Sequence, residues 1–314
     1  MSLEATLNRA LSIRLNLQIT LSGLPIVEEW MDIHLDRWLE HVPTPPEMPP
    51  GHVVSYLAML GSDLKRMWWG AWGDPAGMIP KMADYLKLCN IAKSDAAILD
   101  AMGEKLEPKL VGSWVGVWGG KVTTGWHFWD PHEWSKVEPL FGTHEAKFQL
   151  KKFVADHKIE RIERFTQAIG DAAYSEMELA MPGDTVEAQI AAVEQGFTHF
   201  TGGSLPPAVS ELLRGAPHPS FGLAVRIRNG AVTRVAAIAP AMPPDVLREL
   251  CGHMKVTVDD GLERLLNTLA SEGASRVEIG RAGDRGGVDV YVEPTQSAQK
   301  PKPGVPPVPP SQAN

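Results

Sequence analysis

The stretch Ile162–Leu179 constrains the fold most, because the chain reads as stating it twice. Ile162-Glu163-Arg164-Phe165-Thr166-Gln167-Ala168-Ile169 lies one hundred residues before Leu262-Glu263-Arg264-Leu265-Leu266-Asn267-Thr268-Leu269. In the same ungapped register, Tyr174-Ser175-Glu176-Met177-Glu178-Leu179 falls over Ala274-Ser275-Arg276-Val277-Glu278-Ile279. Four of the eighteen positions are identical, and most others keep their apolar or polar character. Each copy predicts an amphipathic helix, a short turn and an alternating strand. An internal duplication accounts for this; chance similarity between two helix–strand units is the alternative.

A second pair of segments supports duplication. Trp114-Val115-Gly116-Val117-Trp118, the turn Gly119-Gly120 and Val122–Phe128 read as a β-hairpin. Phe221–Ala239 reads as another, around Asn229-Gly230, a strong short-range hairpin signal. A Pro-started helix follows each, at Pro131 and at Pro243-Pro244, and Asp130 with Glu133 fits a capping box. Asp184 fits the cap of a helix through Val186, Ile190 and Val193 that Gly196 stops, with a strand as the alternative there. Arg276–Gly280 and Gly287–Val292 form a last hairpin. The expected organisation is a duplicated α/β region over 111–293, with copies at about 111–196 and 220–293.

Residues 1–110 read as a separate, helix-rich region. Leu11–Leu21 alternates as a strand, and Pro25 opens a helix. Pro43, Pro45, Pro46, Pro49 and Pro50 make residues 42–51 a stiff extended connection. Helices are expected over 52–69, 76–88 and 94–102, with Trp68, Trp69 and Trp72 crowded on one turn. A helix is also expected over 144–170. From Pro294 the chain is rich in Pro, Ser, Gln and Lys, a composition that reads as a disordered tail.

Bulk properties exclude some function classes. Net charge is −8 and no Lys/Arg run gathers on one segment, which argues against sequence-unspecific nucleic-acid binding. Cys89 and Cys251 stand in no metal or redox spacing, and no apolar leader opens the chain; both favour a reduced, cytoplasmic setting. No apolar run approaches the ~20 residues of a membrane-spanning helix. His127, Asp130, His132 and Glu133 resemble a metal cluster only superficially, since a helix cap explains two of them, so no metal and no cofactor is expected.

Alternation sorts the strand side chains onto two faces. Val115, Val117, Val225, Ile227, Met177, Leu179, Val277 and Ile279 form an aliphatic face suited to lie under helices. Opposite stand Trp114, Trp118, Arg226, Arg228, Glu176, Glu178, Arg276 and Glu278; on the last strand Asp289, Tyr291 and Glu293 oppose Val288, Val290 and Val292. Two α+β architectures fit. In an open antiparallel sheet with helices on one side, the polar face meets water. In a sheet closed into a barrel with helices outside, it lines a lumen and must be internally satisfied.

The run Leu223-Ala224-Val225-Arg226-Ile227-Arg228-Asn229-Gly230-Ala231-Val232-Thr233-Arg234-Val235, followed by two helices and a hairpin ending Gly287-Val288-Asp289-Val290-Tyr291-Val292, resembles the C-terminal part of soluble aromatic prenyltransferases of the ABBA type. That family is built from repeated helix and hairpin units closed into a strand barrel. The resemblance implies a biosynthetic transferase moving a prenyl group from an allylic diphosphate to an aromatic acceptor. It implies Arg226, Arg228 and Arg276 as diphosphate ligands, since guanidinium forks suit phosphate oxygens. It implies Trp114, Trp118 and Tyr291 as π faces around the allylic cation, and Glu178 or Glu278 as acceptor of the departing proton. Each group also has a plainer account: the arginines as a solvated face, the tryptophans as packing, the glutamates as cross-strand partners of arginine. The rival reading is a non-catalytic scaffold presenting a Trp-rich surface to a protein partner or a hydrophobic ligand.

Overall fold

The computed structural model describes residues 55–61, 65–73, 75–76, 93–118, 121–169, 173–216, 221–240, 242–258, 263, 276–283 and 285–292. The strand expected over Leu11–Leu21, the helix from Pro25, the proline-rich connection and the tail from Pro294 lie outside these residues, as does nearly all of the helix expected over 76–88.

Ten antiparallel strands close into a barrel. They are β1 (Ser55–Gly61), β2 (Lys65–Gly73), β3 (Leu110–Trp118), β4 (Lys121–Glu133), β5 (Arg161–Ile169), β6 (Tyr174–Ala180), β7 (Gly222–Arg228), β8 (Ala231–Pro240), β9 (Arg276–Ala282) and β10 (Arg285–Val292). Each strand pairs with its neighbours in sequence, and β1 closes the ring by pairing β10, with Tyr56 opposite Val292 and Met59 opposite Asp289. Closure leaves no sheet edge exposed.

Between hairpins run α1 (Lys93–Leu106), α2 (Trp134–Val137) with a 3₁₀ turn and α3 (Glu145–Asp156), α4 (Val186–Thr201) with α5 (Pro207–Arg214), and α6 (Pro244–His253). The unit is thus a hairpin followed by helix, met five times as hairpins around the ring. The β3–β4 and β7–β8 hairpins stand two units apart, and the sequence offset between the ends of β3 and β7, 228 − 118 = 110, reflects this.

Several expectations are corrected. The 52–69 helix is replaced by the β1–β2 hairpin, which belongs to the same barrel as the strands after residue 110. The 144–170 helix ends at Asp156, and Ile162–Ile169 lies in strand β5, so the first copy of the proposed helix is a strand; its counterpart at 262–269 lies outside the described residues, save Glu263 in a helix. The stretches matched at 174–179 and 274–279 also differ in place: the first lies in β6, the second arm of its hairpin, whereas the described part of the second lies in β9, the first arm of its own. Asp130 starts no helix: β4 runs to Glu133, and α2 follows without a side-chain cap. Thr185, not Asp184, caps α4 by accepting from the Ala188 amide at 3.2 Å. Nor does Gly196 stop α4. The helix continues to Thr201 and ends on Gly202 in the left-handed region, φ 67°. A Cβ at Gly196 would run into the Leu223 side chain, so glycine there permits close helix–sheet packing.

The core is the shell between strands and helices. Met177, Leu179, Leu223, Val225, Val235, Ala237, Val277, Ile279, Val288 and Val290 point outward from the strands. Against them pack Leu150 and Phe153 of α3, Ile190, Val193 and Phe197 of α4, Val209 and Leu213 of α5, and Leu247 and Leu250 of α6, all in one cluster. Phe197 is fully buried whereas Phe148, on the outer side of α3, is 55% exposed. Phe197→Ala is expected to cost about 3–5 kcal/mol, through lost burial and a residual cavity, while Phe148→Ala changes stability by less than about 0.5 kcal/mol; urea unfolding of both variants checks the contrast.

Candidate active site in the barrel lumen

With the aliphatic face turned outward, the opposite face of each strand lines the lumen, and its described part carries two kinds of chemistry. On β5 to β10 it is ionic. Arg164 (β5), Arg226 (β7) and Arg234 (β8) are buried, and Arg276 (β9) is partly so. Glu176 of β6, Glu278 of β9 and Asp289 of β10 are buried, with Glu178 of β6 partly buried. Glu176 accepts from Arg226 Nε at 2.8 Å and lies 3.5 Å from both Arg164 and Arg234. Glu278 accepts from Arg234 at 2.9 Å and from Arg276 at 2.7 Å. Glu178 pairs with Arg276 at 2.8 Å and Arg164 at 3.3 Å, and Asp289 accepts from Arg234. Four guanidiniums thus meet four carboxylates in one continuous network. Removal from water is costly for such ions, and mutual pairing offsets it. The guanidinium of Arg226 is raised above its ordinary value: burial pulls it down most strongly, but the charge and hydrogen bond of Glu176 together with Tyr174 outweigh burial and the neighbouring Arg234.

On β3 to β6 the lumen is aromatic. Trp114 stacks on His127 with ring centres 5.8 Å apart and on Tyr174 at 6.1 Å. His127 meets Trp129 edge-on at 4.9 Å. Tyr174 carries the Arg226 guanidinium 4.0 Å above its ring. The column therefore runs Trp129, His127, Trp114, Tyr174, Arg226, and joins the ionic half. Two glycines make room for it. Gly112, opposite His127, lies under the Trp129 ring, and Gly125, opposite Trp114, would set a Cβ 2.8 Å from the Trp114 ring.

His127 Nδ1 stands 2.7 Å from Thr166 Oγ1 across the β4–β5 pair. Burial, then Arg164 and Arg276, hold its imidazole well below the ordinary histidine value, with Glu278 opposing and Arg226 reinforcing. His132 lies beyond the irregularity between Trp129 and His132, opposite Ile162 of the outer core, with Nε2 3.2 Å from the Phe128 carbonyl. The two histidines therefore serve different faces of the strand. Among the described residues, no group of three or more His, Cys, Asp or Glu is arranged to hold a metal ion.

Of the residues singled out from sequence, Arg226, Arg276, Glu178, Glu278 and Trp114 come together in the lumen. Arg228 lies at the exposed end of β7. Trp118 ends β3 opposite Lys121, and Tyr291 of β10 stands opposite Arg276; the side chains of both lie outside the described residues. Arg164, Arg234 and Tyr174 join them without having been singled out, and His127, weighed from sequence only as a metal ligand, stands there as part of the aromatic column. The signal for Arg234 is hidden by the irregularity between Arg226 and Ile227 in the β7–β8 pairing. It shifts the alternation by one, so that Arg234 turns inward.

A closed ten-strand barrel with an outer ring of helices and a lumen of arginines, carboxylates and aromatics is a distinctive combination, and comparison of the whole fold shows which solved structures share it. A 6-dimethylallyl tryptophan synthase superimposes with a TM-score of 0.64 at 12% identity, covering 93% of this chain and 96% of that one. AnaPT from Neosartorya fischeri gives 0.61 at 9% identity, covering 89% and 90%. The 5-dimethylallyl tryptophan synthase from Streptomyces coelicolor, in complex with DMASPP and Trp, gives 0.56 at 12% identity, covering 94% and 96%.

The chain has the fold of the ABBA-type aromatic prenyltransferases.

No protein-family model matches it. In sequence it is 20% identical over 221 residues to a PH domain-containing protein of Dictyostelium discoideum, a stretch covering 68% of this chain and 48% of that protein. The chain thus spans about half the length of this curated relative. Among the described residues, no helix is long and apolar enough to cross a membrane.

Two outcomes test this lumen. Arg234→Ala leaves Glu278 and Asp289 buried without this partner, and chemical denaturation should register a loss of about 3–5 kcal/mol. For His127, the unfolded chain takes up a proton as pH falls through about 6.5 whereas the folded lumen resists it, so stability falls with pH in that window. His157, also held low by burial, adds a contribution of the same sign. Urea midpoints measured between about pH 7.5 and pH 5 should therefore fall less in His127→Gln than in the unaltered protein.

Proposed function

We propose that the lumen binds an allylic diphosphate beside an aromatic acceptor and transfers the prenyl group between them. One observation carries this reading: guanidinium and π face meet in the same lumen, with Arg226 4.0 Å over the Tyr174 ring and Tyr174 stacked on Trp114. The solved structures of similar fold add support: two are dimethylallyl tryptophan synthases, one of them in complex with DMASPP and Trp.

In this scheme Arg226 and Arg276, joined by Arg164 and Arg234, hold the diphosphate oxygens, and Arg228 meets the donor at the end of β7. The allylic C–O bond breaks and its electron pair leaves with the diphosphate. Trp114 and Tyr174 shield the allylic cation by their π faces, the role the sequence resemblance also assigns to Trp118 and Tyr291. The acceptor ring supplies the electrons for the new bond and gives its proton to Glu178 or Glu278. No metal or cofactor enters the scheme, because guanidiniums supply the positive charge.

A non-catalytic binding protein for a small hydrophobic or aromatic ligand is the second reading. The matching of four lumen arginines with four carboxylates favours it. The Trp-rich docking surface is less apt, since Trp114 and Trp126 are buried. Thermal-shift titration with dimethylallyl diphosphate, followed by product detection with tryptophan as acceptor, separates these readings. The transferase reading expects a raised melting temperature and a prenylated product, both lost in Arg226→Ala. Stabilisation by the aromatic compound alone points to the binding protein, and no response to millimolar donor removes the transferase.

A further inference from the structure

We infer that Glu176, Glu178 and Glu278 hold down the donor affinity of the lumen by competing with the diphosphate for the same guanidiniums. This inference rests on the donor reading above and deepens it. Phosphate and carboxylate oxygens seek the same donors on an arginine fork, and here those donors are engaged. One oxygen of Glu176 faces both Nε and Nη2 of Arg226, each at 2.8 Å. Arg276 is gripped from both terminal nitrogens, Nη1 by Glu178 at 2.9 Å and Nη2 by Glu278 at 2.7 Å. Arg234 bridges Glu278 and Asp289, and Arg164 reaches Glu176, Glu178 and Glu278 at 3.3–3.5 Å.

The described network is electrically balanced, four cations to four anions. A diphosphate that binds these four arginines therefore pushes carboxylates off them, and the displaced carboxylates remain as like charges beside it. Inside the barrel, where solvent screening is weak, that repulsion is large. The carboxylates thus hold donor affinity down and favour acceptors and neutral aromatic ligands, which leave the balance undisturbed. Replacing one carboxylate by its amide keeps the shape, removes the charge and frees part of a guanidinium fork.

The test is calorimetric titration of the full chain with inorganic pyrophosphate at fixed ionic strength. Glu178→Gln and Glu176→Gln should each bind pyrophosphate roughly tenfold or more tightly than the unaltered protein, and the gain of Glu178→Gln should vanish when Arg276→Gln is added. Glu211→Gln, a surface exchange on α5 beside Arg214, should leave binding unchanged. Glu178 is the less buried of the two lumen positions, with its side chain 14% exposed against 4% for Glu176, so it keeps the test available if Glu176→Gln does not fold. If the unaltered protein binds pyrophosphate and folded amide variants bind it no more tightly, the competition is overturned while the donor reading stands. If neither it nor any folded variant binds at millimolar concentration, the donor reading falls and the competition with it.

Discussion

A guanidinium in the middle of a strand barrel can neither shed its proton nor reach bulk water, so it requires a carboxylate at hydrogen-bond distance. Arg164, Arg226, Arg234 and Arg276 stand on β5, β7, β8 and β9, and their partners stand on β6, β9 and β10. The pairing therefore ties together six consecutive strands from inside. It also pins their register. A slip of one residue in any of these strands would turn its charged side chains into the aliphatic shell and its valines into the lumen. The outer core and the inner network thus enforce the same arrangement from opposite faces.

The aromatic half obeys a different constraint, volume. Large rings on β3 and β4 need empty positions on the neighbouring strand, and Gly112 beneath Trp129 and Gly125 opposite Trp114 provide these. Gly280 does the same on the ionic side, where a Cβ would stand 3.2 Å from Arg234 Nε. Tyr174 joins the halves, since it stacks on Trp114 and receives Arg226 on its face. A substrate carrying both an anionic group and an apolar or aromatic part would find both complements along this junction. The transferase reading draws its force from that coincidence rather than from any single residue.

Much of this was legible from alternation alone. The strands β3, β6, β7, β9 and β10 sort their residues onto the expected faces wherever side chains are described, and two hairpins announced themselves by Gly119-Gly120 and Asn229-Gly230. Strand β5 was misread because its residues are buried on both faces. Ile162, Arg164, Phe165, Thr166, Ala168 and Ile169 are all inaccessible, so no period of two survives to be seen, while Ile162, Phe165, Thr166 and Ile169 mimic helical spacing. The β1–β2 hairpin is hidden for a related reason: the apolar residues of 52–69, Trp68 and Trp69 among them, also fit the spacing of a helix. Arg164 and Arg234 escaped notice because each follows an irregularity in strand pairing, and such a shift reverses which residues point inward.

By itself the sequence determined local matters: which side chains share a face, where chains reverse, and that one strand surface is aliphatic while the other carries arginine, glutamate and tryptophan. These follow from backbone periodicity, which acts over a few residues. Only the tertiary structure decided that the second surface encloses a lumen, because closure depends on β1 meeting β10, with Tyr56 opposite Val292 across nearly the whole described chain. The same holds for the partners of each arginine. Charge pairing in a barrel is set by distances across its interior, and those distances exist only once the ring has closed.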